Sequence, residues 1–492
     1  MVTAAFTALT VVNALVLVYF FAINLVYFVT SLKALHVIWR YRQRLRSFNL
    51  LDVSRAEAAP PITVLAPAYN EALTCVESVR SLLTLDYPRH EIIVVNDGSK
   101  DETVEVLRTA FELAPRARIA TAGLDTARVR GVYQSRPHPN LWVIDKENGG
   151  KADALNAGLN YCNTPLVCAV DADTLLERDA LTRIVRPFLE NAGTVAVGGK
   201  IRVVNDCTVQ SGIVTDARLP KTFLAAIQTV EYLRAFLVGR VGWAACNAGR
   251  VNAGGFGLCG RGAVVDAGGY GSKRTTGETV GEDMELVVRM KRLFTDQGRP
   301  CNIQFVPDSV AWTEVPESYR VLGRQRDRWQ RGLIESLVRH RQMLFNPRYG
   351  PTGVIAFPVF LFLEGLGPVI ELLGYVGFSI AVFSGQASQA YIIGFFVLAF
   401  ALGVTLSTIA VLIEEIAFAR YTRTSDVLKM FFLGILENFG FRQLNTFWRV
   451  RGLYNTLIGR KAWGKMERKG FGAKPVSSSA APAPLPPPPP AA

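Results

Sequence analysis

Two aspartates one residue apart are the first candidates for chemistry in this sequence. Asp171 and Asp173 of VDAD directly follow PLVCA, an apolar run typical of a buried strand. Where a chain leaves a sheet, two such carboxylates can turn toward one point and bind a divalent cation through oxygen. Mg²⁺ or Mn²⁺ suits a site that also meets phosphates. An ordinary acidic loop is the alternative.

Three other apolar runs also end in polar residues. ITVLAPAYNE ends in Asn70 and Glu71, EIIVVNDGS carries Asp97, and LWVIDKENGGKADALN places Lys151 after two glycines. Each run precedes a helix-like stretch, so the pattern predicts βαβ units, an α/β fold and a parallel sheet, with ligands beyond the strands' carboxyl ends. Asp97 would contact a base or ribose hydroxyl and Lys151 a phosphate or uracil oxygen. For the second run, a helix N-cap is the alternative.

A second acidic group, Glu282, Asp283 and Glu285, lies in VGEDMEL. If the reaction removes a proton from an alcohol, a carboxylate is the expected base, because the four histidines lie outside every motif. Burial could tune Asp283, while a helix N-terminal acid is the alternative. No Ser/His/Asp or Cys/His arrangement appears, which argues against nucleophilic catalysis.

The stretch QRDRW places Gln325, Arg328 and Trp329 at i, i+3 and i+4. In a helix these three side chains share one face. Trp can stack on a sugar, Arg can donate to a pyrophosphate, and Gln can donate and accept. A surface helix with one buried Trp is the alternative.

Composition places these candidates in a membrane protein. The 492 residues are 50% hydrophobic and only 19% charged, too apolar for an ordinary soluble enzyme. Lys and Arg exceed Asp and Glu by 54 − 41 = 13, which fits anionic lipid or a phosphorylated substrate; no nucleic-acid motif accompanies it. The seven cysteines are scattered without CxxC pairs, so neither disulfides nor a zinc site is expected.

Residues 1–32 carry no charge and predict one transmembrane helix, roughly 48 Å long against a hydrocarbon core of about 30 Å. The following segment, 33–59, is basic. By the positive-inside rule it is a cytoplasmic linker, and the N-terminus lies outside.

The region 349–472 is predicted to hold about two more spans, joined by a short outer turn at 384–389, with a fourth span overall as the alternative. Glu371 would lie at the membrane interface or, alternatively, face a polar path. The stretch 223–243 predicts an amphipathic helix on the membrane surface or a buried core helix. The Pro/Ala-rich tail, 473–492, is expected to be disordered.

Taken in order, PAYNE, VVNDGS, NGGKADALN, VDAD, GEDMEL and QRDRW resemble the processive membrane glycosyltransferases of family 2, which include hyaluronan, chitin, cellulose and poly-N-acetylglucosamine synthases. The resemblance covers 60–345 and the flanking membrane helices. It implies a Rossmann-like GT-A domain, cytoplasmic and inserted between transmembrane helices, with a nucleotide-sugar half at 60–173 and an acceptor half at 174–348. It also implies a UDP-sugar donor and an inverting transfer that builds a β-linked polysaccharide.

The resemblance implies roles by position. Asn70, Glu71, Asp97 and Lys151 fall on the donor side, and Asp171 and Asp173 match the metal- and diphosphate-binding DxD. Asp283 matches the general base, and Glu282 beside it falls on the acceptor-binding side. In QxxRW, Arg328 matches the donor-diphosphate ligand, while Gln325 and Trp329 match acceptor-binding positions.

Two departures limit what the resemblance implies. The acceptor element often written FFxCG is FGLCG at 256–260, and two spans after the catalytic domain are few for a secretion pore. An export partner or homo-oligomer would then complete the path. The expected activity is extension of an extracellular polysaccharide from UDP-N-acetylglucosamine at the inner membrane. The alternatives are UDP-glucose as donor, or a non-processive transfer to a lipid-linked acceptor.

Overall fold

A ten-stranded mixed sheet organises the part of the chain between the apolar helices. The computed structural model describes residues 2–47, 59–246 and 255–460. Its strands are β1 (Ile62–Ala68), β2 (His90–Asp97), β3 (Leu113–Pro115), β4 (Val129–Ser135), β5 (Leu141–Lys146), β6 (Leu166–Val170), β7 (Thr174–Leu176), β8 (Thr194–Val203), β9 (Thr208–Gln210), β10 (Ile213–Asp216), β11 (Phe256–Gly260) and β12 (Asn302–Thr313).

The strand order is β3-β4-β5-β2-β1-β6-β11-β8-β12-β7, and β9 and β10 form a separate hairpin. Strand β1 pairs in parallel with β2 and β6, and β2 pairs in parallel with β5. The predicted α/β fold is therefore confirmed, and the predicted parallel pairing is confirmed for β1, β2, β5 and β6, although β4 runs antiparallel to β5 and to β3. Strand β11 runs antiparallel to β6 and β8, which makes the second half mixed.

The helices cover both faces of the sheet and extend beyond it. They are α1 (Val2–Ser47), α2 (Cys75–Leu83), α3 (Thr103–Phe111), α4 (Lys151–Tyr161), α5 (Ala180–Ile184), α6 (Arg186–Glu190), α7 (Phe223–Tyr232), α8 (Arg240–Ala245), α9 (Arg261–Asp266), α10 (Glu282–Asp296), α11 (Tyr319–Arg339), α12 (Gly367–Phe383), α13 (Gln389–Phe396), α14 (Leu402–Ala417), α15 (Thr424–Leu436) and α16 (Arg442–Leu457). Successive residues of β1, such as Val64 and Leu65, enter separate cores on opposite faces. This double burial explains why the central strands read as unbroken apolar runs.

The N-terminal helix is longer than predicted. Helix α1 continues from Val2 to Ser47, past the expected end at residue 32 and into the segment read as a linker. No Gly or Pro occurs within it, so nothing in the local sequence breaks the helix when charge begins. Residues Leu9–Gln43 are long and apolar enough to cross a membrane.

Two further segments match the predicted downstream spans. Gln389–Ala417 is long and apolar enough to cross, and Thr352–Gly365 with Gly367–Phe383 would form one more span bent by 42°. The described residues thus hold two candidate spans, or three if the bent pair is one. The predicted turn at 384–389 lies between α12 and α13.

Glu371 lies inside the helix bundle. It is buried, and its carboxylate accepts hydrogen bonds from the Tyr19 hydroxyl (3.3 Å) and the Thr446 hydroxyl (2.7 Å). These neighbours come from α1 and α16. Helices α1 and α16 therefore cover the side chain, and the position of Glu371 at the membrane interface or on a polar path stays a prediction.

The helix predicted at 223–243 is buried, which corrects the membrane-surface interpretation and supports the core alternative. Helix α7 continues through π-helical turns, Leu233–Gly239, into α8. The charges that interrupt its apolar sequence have partners: Glu231 accepts from Arg326 (2.6 Å), and Arg234 donates to Glu437 (2.6 Å). Ion pairing lets a charged sequence be buried. The tail at 473–492 lies outside the described residues.

Candidate active site

A cleft opens at the carboxyl ends of β1 and β6, where the parallel-strand pattern predicted a site. Strand β6 ends at Val170, α4 begins at Lys151, and α10 begins at Glu282. The cleft is lined by residues that include Pro67, Lys151, Leu155, Asp171, Gly257, Tyr270, Glu282 and Asp283. Residues from separate motifs therefore meet in one place.

Lys151 joins the two acidic groups of the cleft. Its Nζ lies 2.6 Å from Asp171 Oδ1 and 3.2 Å from Glu282 Oε1. Burial alone would lower the pKa of Lys151, but the carboxylates of Asp171 and Glu282 outweigh it and raise the pKa above its ordinary value. The ammonium is therefore a permanent positive charge at the site.

The pKa of the Asp283 carboxyl is raised toward neutral pH. Burial, and then the charge of Glu282, raise the pKa of Asp283 to about 6, although Lys151 opposes them. The residue is in the first turn of α10 and remains partly exposed. A carboxylate with such a pKa is ionised at neutral pH and can accept a proton, as a general base must.

The two aspartates of VDAD differ in exposure. Asp171 lines the cleft with a third of its side chain exposed, whereas Asp173 is 2% exposed. Among residues 2–47, 59–246 and 255–460, no three His, Cys, Asp or Glu side chains converge as a metal cage. A cation here would be held by one or two carboxylates with the donor's phosphates completing its shell, a common arrangement for Mg²⁺.

Asp97 holds the glycine loop that precedes Lys151. Its oxygens accept from the backbone N–H groups of Gly149 (2.9 Å) and Gly150 (2.7 Å). Lys146 Nζ donates to Asp97 (2.6 Å) and pairs with Asp153 (2.7 Å), and the Lys146 side chain is fully buried. The structure therefore places Asp97 as a buried support of this loop, with its carboxylate oxygens already hydrogen-bonded.

Asn70 and Glu71 join the ends of β1 and β2. Asn70 adopts a left-handed conformation (φ 58°), its N–H donates to the Ser99 hydroxyl (3.0 Å), and its Oδ1 accepts from the N–H of Lys100 (2.8 Å). The N–H of Glu71 donates to the Thr103 hydroxyl (3.0 Å). Both residues lie on the sheet edge that carries Asp97.

The QRDRW stretch is helical, as predicted, within α11. Gln325 is buried, and among the described residues its Oε1 has no hydrogen-bond partner. Arg328 is partly exposed and Trp329 is 38% exposed. The indole borders Tyr232 and Phe236, with ring centroids 6.5 and 6.2 Å away, and the Arg326 guanidinium lies 4.3 Å from its centroid. This group presents an aromatic surface, as sugar stacking requires.

Helix α11 reaches the candidate base through a close helix contact. A Cβ placed on Gly281, the residue before α10, would lie 3.0 Å from the Gly332 Cα. Glu335 of α11 also accepts from the N–H of Val280 (3.1 Å). The start of the Asp283 helix is thereby packed directly on the helix that carries Trp329.

Sequence reasoning missed a buried group behind Asp283. Glu285 accepts from Arg289 (2.9 Å) and lies 3.1 Å from His340 Nε2, although His340 belongs to no motif. Burial opposes ionisation, but His340 and Arg289 lower the pKa of Glu285 to about 2. Arg289 also donates to the Gly269 carbonyl (2.8 Å), next to the cleft residue Tyr270. Only the i, i+4 spacing of Glu285 and Arg289 was visible in the sequence.

Two family models match the chain. Glycosyl transferase family 2 matches residues 63–235, and glycosyl transferase family group 2 matches residues 166–411, which is half of the chain. The first range contains Asp97 and Lys151. The second contains Asp283 and the QRDRW helix. Together the two matched ranges contain every motif of the cleft.

Curated relatives with similar sequences carry the name poly-beta-1,6-N-acetyl-D-glucosamine synthase. One from Staphylococcus epidermidis is 29% identical over 299 residues, 60% of each protein. One from Staphylococcus aureus (strain COL) is 28% identical over 316 residues, 64% of each protein. The match thus spans less than two thirds of these relatives' length.

A solved structure shares the fold. The mannosyltransferase PcManGT from Pyrobaculum calidifontis, in complex with GDP-Man and Mn²⁺, superposes with a TM-score of 0.50 at 19% identity, covering 87% of this chain and 99% of that one. The GT-A fold predicted from the motifs is thereby confirmed.

Proposed function

The chain belongs to glycosyl transferase family group 2, and we propose that this membrane-bound glycosyltransferase transfers sugar from a UDP-sugar to a growing β-linked polysaccharide. The observation that carries the proposal is the meeting of Lys151, Asp171 and Glu282 with Asp283 in one cleft. In this proposal the Lys151 ammonium faces the donor phosphates, and Asp283, whose pKa is raised, faces the acceptor hydroxyl. A transfer between donor and acceptor needs both groups. N-acetylglucosamine is the proposed sugar because the curated relatives are named for its polymer.

The proposed reaction is a single in-line displacement with inversion. Asp283 accepts the proton of the acceptor hydroxyl as its oxygen bonds to the anomeric carbon of the donor. The bond from that carbon to the diphosphate breaks, and UDP leaves with the electron pair. Lys151 and Arg328 bind the negative charge that develops on the diphosphate. No protein nucleophile is required.

The remaining predicted site residues divide between the two substrates. Asp97 is the proposed contact for the donor's base or ribose hydroxyl and also holds the glycine loop that presents Lys151, while Asn70 and Glu71 border the donor on the same edge. Gln325 and Trp329 bind the acceptor sugar, with Tyr232 and Phe236 extending the aromatic surface. Glu282 holds Lys151 and tunes Asp283.

We further propose a divalent cation, Mg²⁺ or Mn²⁺, held by Asp171 and Asp173 together with the donor phosphates. Such an ion would offset charge on the leaving diphosphate. EDTA should abolish UDP release, and either ion should restore it. Full activity in EDTA would exclude the ion, leaving Lys151 as the charge partner.

The proposed topology places the catalytic domain in the cytoplasm of the inner membrane, with the N-terminus outside. Basic residues at the end of the first candidate span and directly after it support this orientation. Cysteine accessibility to an impermeant reagent tests it: a cysteine introduced near residue 386 should react from outside, and one near residue 100 should not.

The decisive experiment measures UDP release by the purified protein against a panel of UDP-sugars, with the product sized and digested by linkage-specific hydrolases. UDP-N-acetylglucosamine should support the fastest release and yield a polymer. UDP-glucose preference would change the donor. A product with one added sugar would favour non-processive transfer to a lipid-linked acceptor, and no release with any donor would refute the proposal.

A further inference from the structure

The bent candidate span, formed by Thr352–Gly365 and α12, is broken next to a proline in the first turn of α12. Pro368 has no N–H, so the Glu364 carbonyl four residues earlier has no helical donor. The next carbonyl, that of Gly365, also loses its usual partner, because the N–H of Val369 donates to Leu366 (3.0 Å). The helix bends here by 42°. Two backbone acceptors are thus released at the break.

The QRDRW helix supplies one donor for these carbonyls. Gln330, the residue after Trp329, is buried, and its Nε2 donates to the Gly365 carbonyl (2.8 Å) and lies 3.4 Å from the Glu364 carbonyl. The helix that presents the aromatic surface is therefore hydrogen-bonded to the break itself.

Helix α16, the last helix of the described residues, supplies the second donor. Arg449 of α16 donates to the Glu364 carbonyl (2.5 Å) and to its carboxylate (3.2 Å), and it also donates to Gln330 Oε1 (2.9 Å). Tyr27 of α1 completes the group by donating to Glu364 Oε1 (2.6 Å). Four elements that are distant in sequence are joined at one point.

We infer that Gln330 and Arg449 are positioning residues that hold the acceptor surface at Trp329 in fixed alignment with the broken membrane segment. Their hydrogen bonds to the Gly365 and Glu364 carbonyls and to each other form a joint that sets product length. The inference rests on the proposed polymer synthesis. The joint touches neither the cleft carboxylates nor Lys151, so its role is in alignment and not in the transfer step.

The reason is that a growing chain must stay bound between cycles. A chain held at the acceptor surface and along the membrane segment is bound at two places, and the second contact is effective only while the two keep a compatible geometry. Loosening the joint should raise the rate at which the chain dissociates. Transfer of each single sugar should continue.

The test compares product length with UDP release for Arg449→Ala, Arg449→Lys and Gln330→Met. We expect Arg449→Ala and Gln330→Met to shorten the polymer by about tenfold, as for loss of a charged or buried hydrogen bond. The KM for the UDP-sugar and UDP release per enzyme should stay within about twofold, because the hydrogen bonds of Gln330 and Arg449 go to the break and to each other and not to Lys151 or the cleft carboxylates. Lysine, which keeps one charged donor, should restore part of the length.

Arg451→Ala is the matched control. Arg451 lies on the same helix and donates to the Gly323 carbonyl (2.7 Å) of α11, but it makes no contact with the membrane break among the described residues. Its product should keep the wild-type length. Size-exclusion profiles establish folding for each variant, and Gln330→Met, close in shape to glutamine, provides the test if Arg449→Ala misfolds.

Polymer of unchanged length from folded Arg449→Ala and Gln330→Met would overturn the inference alone. A parallel loss of UDP release and length would also overturn it, since that pattern indicates damage to the transfer step. A wild-type product of one sugar would refute the proposed polymer synthesis, and the inference with it.

Discussion

At the residue scale, the candidate base is defined by its surroundings. Asp283 owes its raised pKa first to burial and then to Glu282, while Lys151 acts against both. The same Lys151 binds Asp171 and Glu282, so each charge in the cleft influences the next. Roles at this site therefore depend on a coupled group of four side chains.

Asp283→Asn should reduce UDP release by about 10²–10⁴-fold, because the amide cannot take the acceptor proton. UDP release by purified protein at saturating donor measures this effect. Asp296→Asn, at the other end of α10, is the control and should retain activity. Unchanged release by Asp283→Asn would exclude it as the base.

Activity should follow the ionisation of Asp283. Because the pKa of Asp283 is raised to about 6 and the base must be ionised, kcat/KM should fall about tenfold per pH unit below that value and level off above it. Glu282→Gln removes a charge that raises this pKa, so the acidic limb should move to lower pH. If the acidic limb of the pH profile does not move in Glu282→Gln, the group that titrates there is not Asp283.

At the scale of elements, loops are positioned by buried ion pairs. Lys146 in β5 holds Asp97 of β2 and Asp153 of α4, and Asp97 in turn holds the glycine loop. Asn156 of α4 bonds the backbone of Tyr270 in both directions, through its Nδ2 (2.9 Å) and its Oδ1 (2.7 Å). The motif NGGKADALN therefore positions two walls of the cleft.

Lys146→Met should destabilise the protein by about 3–5 kcal/mol, because it leaves the carboxylates of Asp97 and Asp153 buried without their cation. A lower midpoint of unfolding and a higher KM for the UDP-sugar would be measured together. Lys273→Met is the control, since that side chain is 75% exposed and its change should cost within about 0.5 kcal/mol. Equal stability of the two variants would show that the ion pairs of Lys146 with Asp97 and Asp153 do not stabilise the fold.

At the scale of the whole molecule, buried charges connect the catalytic sheet to the membrane helices. Lys200 and Arg202 of β8 both donate to Glu414 near the end of α14, and all three side chains are almost fully buried. Burial and the neighbouring Arg202 lower the pKa of Lys200 to about 7. The sheet and the last candidate span therefore share one ionic contact.

Glu414→Gln should destabilise the protein by about 3–5 kcal/mol, because it leaves the Arg202 guanidinium buried without its carboxylate. Thermal unfolding in detergent measures the loss. Glu415→Gln is the neighbouring control, because among the described residues the buried Glu415 Oε1 has no hydrogen-bond partner. A similar midpoint for both variants would show that the contact does not hold the two parts together.

The sequence by itself determined the order of βαβ units, the apolar segments and the cleft residues, because these depend on local periodicity and on strand ends that meet at one sheet edge. Asp171 and Lys151 converge as that pattern predicted, whereas Asp283, which joins them in the cleft, was indicated only by the acidic VGEDMEL motif. It also placed Gln325, Arg328 and Trp329 on one helix.

Only the tertiary structure decided which charges are paired and where helices stop. Nothing near His340, Arg449 or Glu414 in the chain indicates their partners, which are 55, 85 and 212 residues away or more. The burial of 223–243 and of Glu371 likewise depended on partners from other helices. Contacts between distant segments are set by packing of the whole molecule, and a local pattern carries no record of them.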